Sequence, residues 1–216
     1  MTIRRSLVLF QLVLLFGINL LANDLRLPAE WEPQDRVWLT WFGQERRDSV
    51  SCDIVKALLP NVKLTMNVAS DGMKEMAVKY MTDRNIDASK LEFVIDPFAD
   101  FFVRDYAMFV KDSKGALQIV DFVYSSYGRF PQLTGNPISE QEKKFGVWEE
   151  TLSRQLKLPI IKSEYYFEGG GIESNGRGTL LVIKDMATQR NPGRSITEIE
   201  NELKRTLGAR KVIWLE

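Results

Sequence analysis

Two aspartates and an arginine sit among aromatic residues at Asp100-Phe101-Phe102-Val103-Arg104-Asp105-Tyr106, and a glutamate opens a run of glycines at Glu168-Gly169-Gly170-Gly171. A carboxylate walled by rings such as Phe102 and Tyr106 suits a flat cation that also touches aromatic faces. Asp105 and Glu168 together match a guanidinium, which is planar, permanently charged and bound bidentately by carboxylates. A structural reading competes at both places: an Arg–Asp ion pair on a surface loop, and a bulged hairpin whose glycines relieve crowding. Cys52, in SVSCDIV, is the third candidate. A cysteine nucleophile needs a base or a cationic environment. The chain contains no histidine, and Asp53 beside the thiol disfavours its thiolate, so Cys52 is read as a packing residue.

The composition narrows the field further. Lys+Arg and Asp+Glu number 29 each in 216 residues, so no net field directs the chain to nucleic acid or to an anionic membrane. With 44% hydrophobic and 27% charged residues, it is an ordinary globular composition. A single cysteine excludes an intrachain disulfide, and the lack of histidine leaves almost no Cys/His metal site, so no metal is expected.

The elements that must position these residues alternate between strand and helix. Strands are expected at 36–41, at 62–68 with Val62, Leu64, Met66 and Val68 on one face, at 91–95, at 116–124 after the turn Asp112-Ser113-Lys114-Gly115, and at 211–215 as a buried type. A helix is expected from Asp71 to Tyr80 with Met73, Met76, Ala77 and Tyr80 inward, and another over 139–156, where Ser139 and Glu142 form a capping-box pattern. Asn175-Gly176 predicts a tight hairpin turn. Thr197 and Glu200 suggest a second capping box, Ile196, Ile199, Leu203 and Leu207 line one helix face, and Gly208 stops it. The order strand, strand, helix, strand recurs about twice, which predicts a mixed α/β architecture of repeated units.

The first 22 residues stand apart. MTIRR is basic, residues 6–22 carry no charge, and polar sequence returns at Asn23-Asp24. This is a signal-peptide layout with Ala22 as the last residue before cleavage, and an uncleaved anchor is the rival. The expected organisation is therefore a signal peptide at 1–22 and one domain over 23–216, exported to a secreted or periplasmic location, with no stable membrane partner after cleavage.

Taken together, LPAEWEPQDRVWLTW (27–41), FVRDYAMFVKD (102–112), VDFVY (120–124), FEGGGIESNGRGTLLVIKD (167–185), RNP (190–192) and EIENELKRTLGARKVIWL (198–215) resemble the agmatine deiminase and Porphyromonas-type peptidylarginine deiminase family. The resemblance implies a pentein-type α/β propeller of repeated strand-strand-helix-strand modules, present here in part. It implies hydrolysis of a guanidine to a urea plus ammonia without metal or organic cofactor, the guanidine being peptidylarginine or agmatine, with putrescine biosynthesis as the setting for agmatine. Asp105 takes the place of the family's guanidinium-binding aspartate, and Glu168 that of the glutamate beside the site. Phe102 stands where the family usually has Trp, Arg104 precedes the aspartate, and Gly169, Gly170 and Gly171 form a glycine-rich site strand. Thr40-Trp41-Phe42 departs from a Thr-Trp-Pro, and Met108 from a glycine-containing segment; RDYA with IVDFVY leans to the peptidylarginine side. The family's catalytic histidine and cysteine fall beyond Glu216, so no catalytic residue is expected within this chain and no deiminase activity from it alone. A decayed remnant or a cation-binding module without enzymatic function is the alternative.

Overall fold

A computed structural model describes residues 24–97, 102–125, 127 and 148–216. The N-terminal 22-residue expectation and residues 139–147 of the helix expected over 139–156 lie outside them. The described strands form three small sheets that differ in how they are connected.

The first sheet is wholly parallel, in the order β1 (Arg36–Thr40), β2 (Lys63–Val68), β3 (Leu91–Ile95), joined by helices α1 (Glu45–Leu58) and α2 (Asp71–Thr82). A parallel pair needs a crossover, and the helices supply it. The alternation at 62–68 suggests a strand buried on one face, yet Thr65 and Asn67 are as buried as Leu64, Met66 and Val68. As the central strand of a parallel sheet, β2 is covered on both sides. On α2 the inward residues are Ala77 and Met81, while Met76 is exposed. The α2 N-cap is Ser70, whose hydroxyl accepts from the Met73 N–H at 3.2 Å.

The other two sheets share a different plan. In the second, β4 (Ala107–Lys111) and β5 (Leu117–Val123) form an antiparallel hairpin; helix α3 (Trp148–Leu156) precedes β6 (Ile160–Tyr166), which pairs parallel to β5. In the third, β7 (Ile172–Ser174) and β8 (Thr179–Ile183) are antiparallel; helices α4 (Lys184–Arg190) and α5 (Ile196–Leu207) lead to β9 (Lys211–Leu215), parallel to β8. The twice-recurring strand, strand, helix, strand order is these two units.

Helix α5 begins at Ser195, not Thr197. Ser195 caps the Glu198 N–H and Glu198 returns a bond to the Ser195 N–H at 2.7 Å. Both pairs fit the capping-box spacing, and it is Ser195, with Glu198 at the third helical position, that makes both bonds. Ile199, Leu203 and Leu207 are fully buried, and Gly208 ends the helix in the left-handed region at φ 66°. A side chain at Gly208 would meet the Leu25 carbonyl oxygen at 1.8 Å. That close approach belongs to a strap over residues 24–32: Arg26 exchanges backbone hydrogen bonds with Lys111, and the Leu27 N–H donates to Leu207. The hairpin loop at 175–178 is four residues long, held by Asn175 Oδ1 accepting from the Arg177 and Thr179 N–H groups. Strand β9 is not of the buried type: alternate residues are exposed, and Ile213 and Leu215 share an outer face with Leu181 and Ile183.

Candidate functional site

Asp105 ends a single 3-10 turn, Val103–Asp105, that runs directly into β4. Its half-buried carboxylate is held from two sides. Oδ1 accepts from the Gly170 N–H at 2.9 Å, and Oδ2 accepts from the Tyr127 hydroxyl at 2.9 Å. A carboxylate has about four acceptor positions, so about two remain on Asp105 among the described residues. Exposed Phe102 stands beside it, its ring edge-on to Tyr127 at 6.2 Å. Tyr127 in turn meets Tyr124 at 5.7 Å, and Tyr124 meets Tyr106 at 4.5 Å, a row of rings leading inward from the carboxylate.

Glu168 follows β6 and is 4% exposed. Oε1 accepts from the Ser125 hydroxyl at 3.0 Å and the Tyr127 N–H at 3.1 Å. Oε2 forms an ion pair with Arg190, the last residue of α4. The carboxylate is thereby compensated by a guanidinium from within the chain. Next to Arg190, Asn191 fixes the strand end that carries the glutamate. Its Oδ1 accepts from the Tyr166 N–H at 2.9 Å and its Nδ2 donates to the Tyr166 carbonyl at 3.0 Å.

Gly169, Gly170 and Gly171 do not form a strand. They make a 3-10 turn between β6 and β7, because a turn is what delivers the Gly170 N–H to Asp105. A Cβ at Gly169 would lie 2.1 Å from the Arg104 carbonyl oxygen, so two backbones meet there without room for a side chain. At Gly171 the obstacle is Met186, at 2.1 Å.

The Arg104 guanidinium is engaged by Glu30 and by Glu173, the latter at 2.8 Å. It ties the Asp105 turn to the N-terminal strap and to β7. Asp105, Glu168, Phe102 and the glycine turn thus converge at one place, while Arg104 contributes its backbone beneath Gly169 and its side chain to the neighbouring surface.

Cys52 lies elsewhere, on α1 in the core of the first sheet with Val55, Leu64 and Met66. Burial pushes its thiol up, and Asp48 and Asp53 add to that against the opposing Arg84 and Lys56. This agrees with a packing residue. Tyr127, Ser125 and Arg190 were not singled out by sequence reasoning. Their side chains reach the site across 22 to 43 residues of chain, a distance no local spacing rule covers.

Over residues 26–216 the chain matches the family of Porphyromonas-type peptidyl-arginine deiminases. The agmatine deiminase of Pseudomonas aeruginosa (strain LESB58) is 29% identical over 205 residues, which is 90% of this chain and 53% of that protein. Among solved structures, the agmatine deiminase of Enterococcus faecalis superposes with a TM-score of 0.74 at 21% identity, over 89% of this chain and 53% of that one. A substrate-bound agmatine deiminase of C. jejuni gives 0.70 at 22% identity, over 89% and 56%. The chain spans about half the length of the curated relatives it matches. The structural likenesses establish a common mixed α/β fold. The match over nearly all of the described chain carries the assignment: this protein belongs to the Porphyromonas-type peptidyl-arginine deiminase family, a family of guanidino-group hydrolases.

Proposed function

We propose that this chain supplies the guanidinium-binding part of a deiminase site, with Asp105 as the anchor, Phe102 as a wall against the substrate stem and Glu168 as a buried neighbour. The observation that carries this reading is the state of the Asp105 carboxylate. Among the described residues one donor sits on each oxygen, about two acceptor positions remain, and an exposed ring lies beside it. That is the acceptor pattern a bidentate planar cation requires. Glu168 accepts from Ser125 and Tyr127 and is ion-paired with Arg190, so its part is electrostatic rather than a second clamp.

Agmatine and peptidylarginine both present the required group, as the names of the relatives suggest. In the deimination we assign to the site, water supplies an oxygen to the guanidinium carbon, a C–N bond breaks and ammonia leaves, so that the carbon becomes that of a urea. The residues of this chain hold and polarise that carbon. With no histidine among its 216 residues and its one cysteine buried in another core, the chain brings neither an imidazole nor an accessible thiol, and we expect no urea product from it alone. The two hairpin-helix-strand units support a reading of the fold as modules of a pentein-type propeller. The basic and then uncharged N-terminal run supports export.

The test is a calorimetric titration of the chain with agmatine and with N-acetyl-arginine amide. Wild-type binding that disappears in Asp105→Asn, with the fold intact by circular dichroism, supports the assignment. Equal binding by wild type and Asp105→Asn refutes it.

A further inference from the structure

The two carboxylates come from elements 63 residues apart, and one described residue hydrogen-bonds both: the hydroxyl of Tyr127 reaches Asp105 at 2.9 Å and its N–H reaches Glu168 at 3.1 Å. Tyr127 does this from an unusual backbone position, with φ at 60°, in the left-handed region that aromatic residues rarely occupy. A strained conformation persists where its surroundings over-determine it, and such residues cluster at binding sites. Among the described residues, hydrogen bonds to Asp105, Glu168 and Tyr124 and ring contacts with Phe102 and Tyr124 hold it here.

We propose that Tyr127 is a positioning residue that sets the plane of the Asp105 carboxylate, and so makes the site select a guanidinium over an ammonium; this rests on the reading of Asp105 as the guanidinium anchor. The argument is geometric. The Gly170 N–H fixes one oxygen and the Tyr127 hydroxyl the other. With both fixed, the carboxylate cannot rotate about its terminal bond, and its two remaining acceptor positions keep one orientation. A planar, forked donor gains from that orientation because both of its N–H groups must align at once. An ammonium is a point charge with rotatable donors and gains little. Burial, together with the hydrogen bonds to Tyr124 and Asp105, pushes the Tyr127 phenol upward, so it remains a donor at ordinary pH.

The experiment compares butylguanidinium with pentylammonium, each bearing a single cation, by calorimetric titration of the whole chain. The variants are Tyr127→Phe, which keeps the ring and loses the hydroxyl, and Tyr127→Gly, which relieves the backbone and keeps the N–H. Wild type is expected to favour butylguanidinium, and each variant to lose that preference by about tenfold, with pentylammonium affinity changing less than twofold. A purely structural role would weaken both cations together, and that result, or an unchanged preference in Tyr127→Phe, overturns the proposal. Asp105→Asn separates the two claims. If wild type binds butylguanidinium and Asp105→Asn does not, the anchor stands whatever Tyr127 does. If wild type binds neither cation, the anchor falls and the positioning role with it.

Discussion

Asp105 and Glu168 are both carboxylates at the ends of short turns, hydrogen-bonded to the same tyrosine, yet their surroundings differ in one respect. Asp105 faces outward beside an exposed phenylalanine and, among the described residues, its carboxylate meets neutral donors, an amide and a phenol. Glu168 is buried and meets an arginine from the next helix. A buried carboxylate is tolerable only with a partner charge or a proton, whereas a half-open one can leave its charge for a visitor. The difference separates a group that holds the chain together from one that can hold a ligand. It also shows why a glutamate at the mouth of a glycine run is ambiguous in sequence: the cation it addresses can belong to the protein itself.

The comparison is broken most severely by removing the arginine. Arg190→Met leaves Glu168 buried and uncompensated and should destabilise the fold by about 3–5 kcal/mol in urea denaturation, most of which returns in the double substitution with Glu168→Gln. Glu149 supplies the natural counterpart, a buried carboxyl at the start of α3 whose Oε2 has no hydrogen-bond partner among the described residues. Burial pushes its pKa up from 4.5 to about 9, with Asp121 and Asp96 adding to the rise. Between those values the unfolded chain releases a proton that the folded chain retains. Its contribution to stability is therefore complete below about pH 4.5 and is lost as pH rises toward about 9. Glu149→Gln should raise stability by about 3 kcal/mol at pH 7 and flatten the slope between pH 5 and 9, measured by urea midpoints across that range.

Smaller effects sharpen the contrast at Asp105. Gly169→Ala places a methyl against the Arg104 carbonyl and displaces the turn that carries Asp105. A loss of about 1–3 kcal/mol is expected, accompanied by weaker guanidinium binding in the same titration. Asp105→Asn should change stability by less than about 1 kcal/mol, because the group is half open, while removing cation binding. A variant that costs ligand but little stability is the signature of an outward-facing carboxylate; a large stability loss would place Asp105 with Glu168.

Much of this was legible in sequence, and the reasons for success and failure are physical. Strands β2, β3 and β5 announce themselves through apolar, β-branched residues, and Gly208 marks the end of α5 because only glycine fits its backbone there. Helix α1 gave no such signal: its inward face is Asp48, Ser51, Cys52 and Val55, helical in spacing but largely polar. Strand β6, IIKSEYY, mixes polar and apolar residues for a different reason, since it is only partly covered. The glycine run read as a strand because the sequence on either side is strand; the close approach of Arg104 that bends it into a turn comes from 65 residues earlier. At the site, Asp105, Glu168 and Phe102 were reached from residue type and family likeness, whereas Tyr127 and Arg190 depend on long-range folding that no spacing encodes.

The strap over residues 24–32 bears on the order of events in synthesis. Its fastenings are Lys111, Ser174, Gly176 and Leu207, the last of them 180 residues downstream of Leu27. At ordinary translation rates about 10–40 s separate the making of Leu27 from the making of its partner. A segment made early thus waits for its fastening to Leu207 until α5 has been made. The same strap carries Glu30 to Arg104, so the turn bearing Asp105 shares a tether with that late fastening.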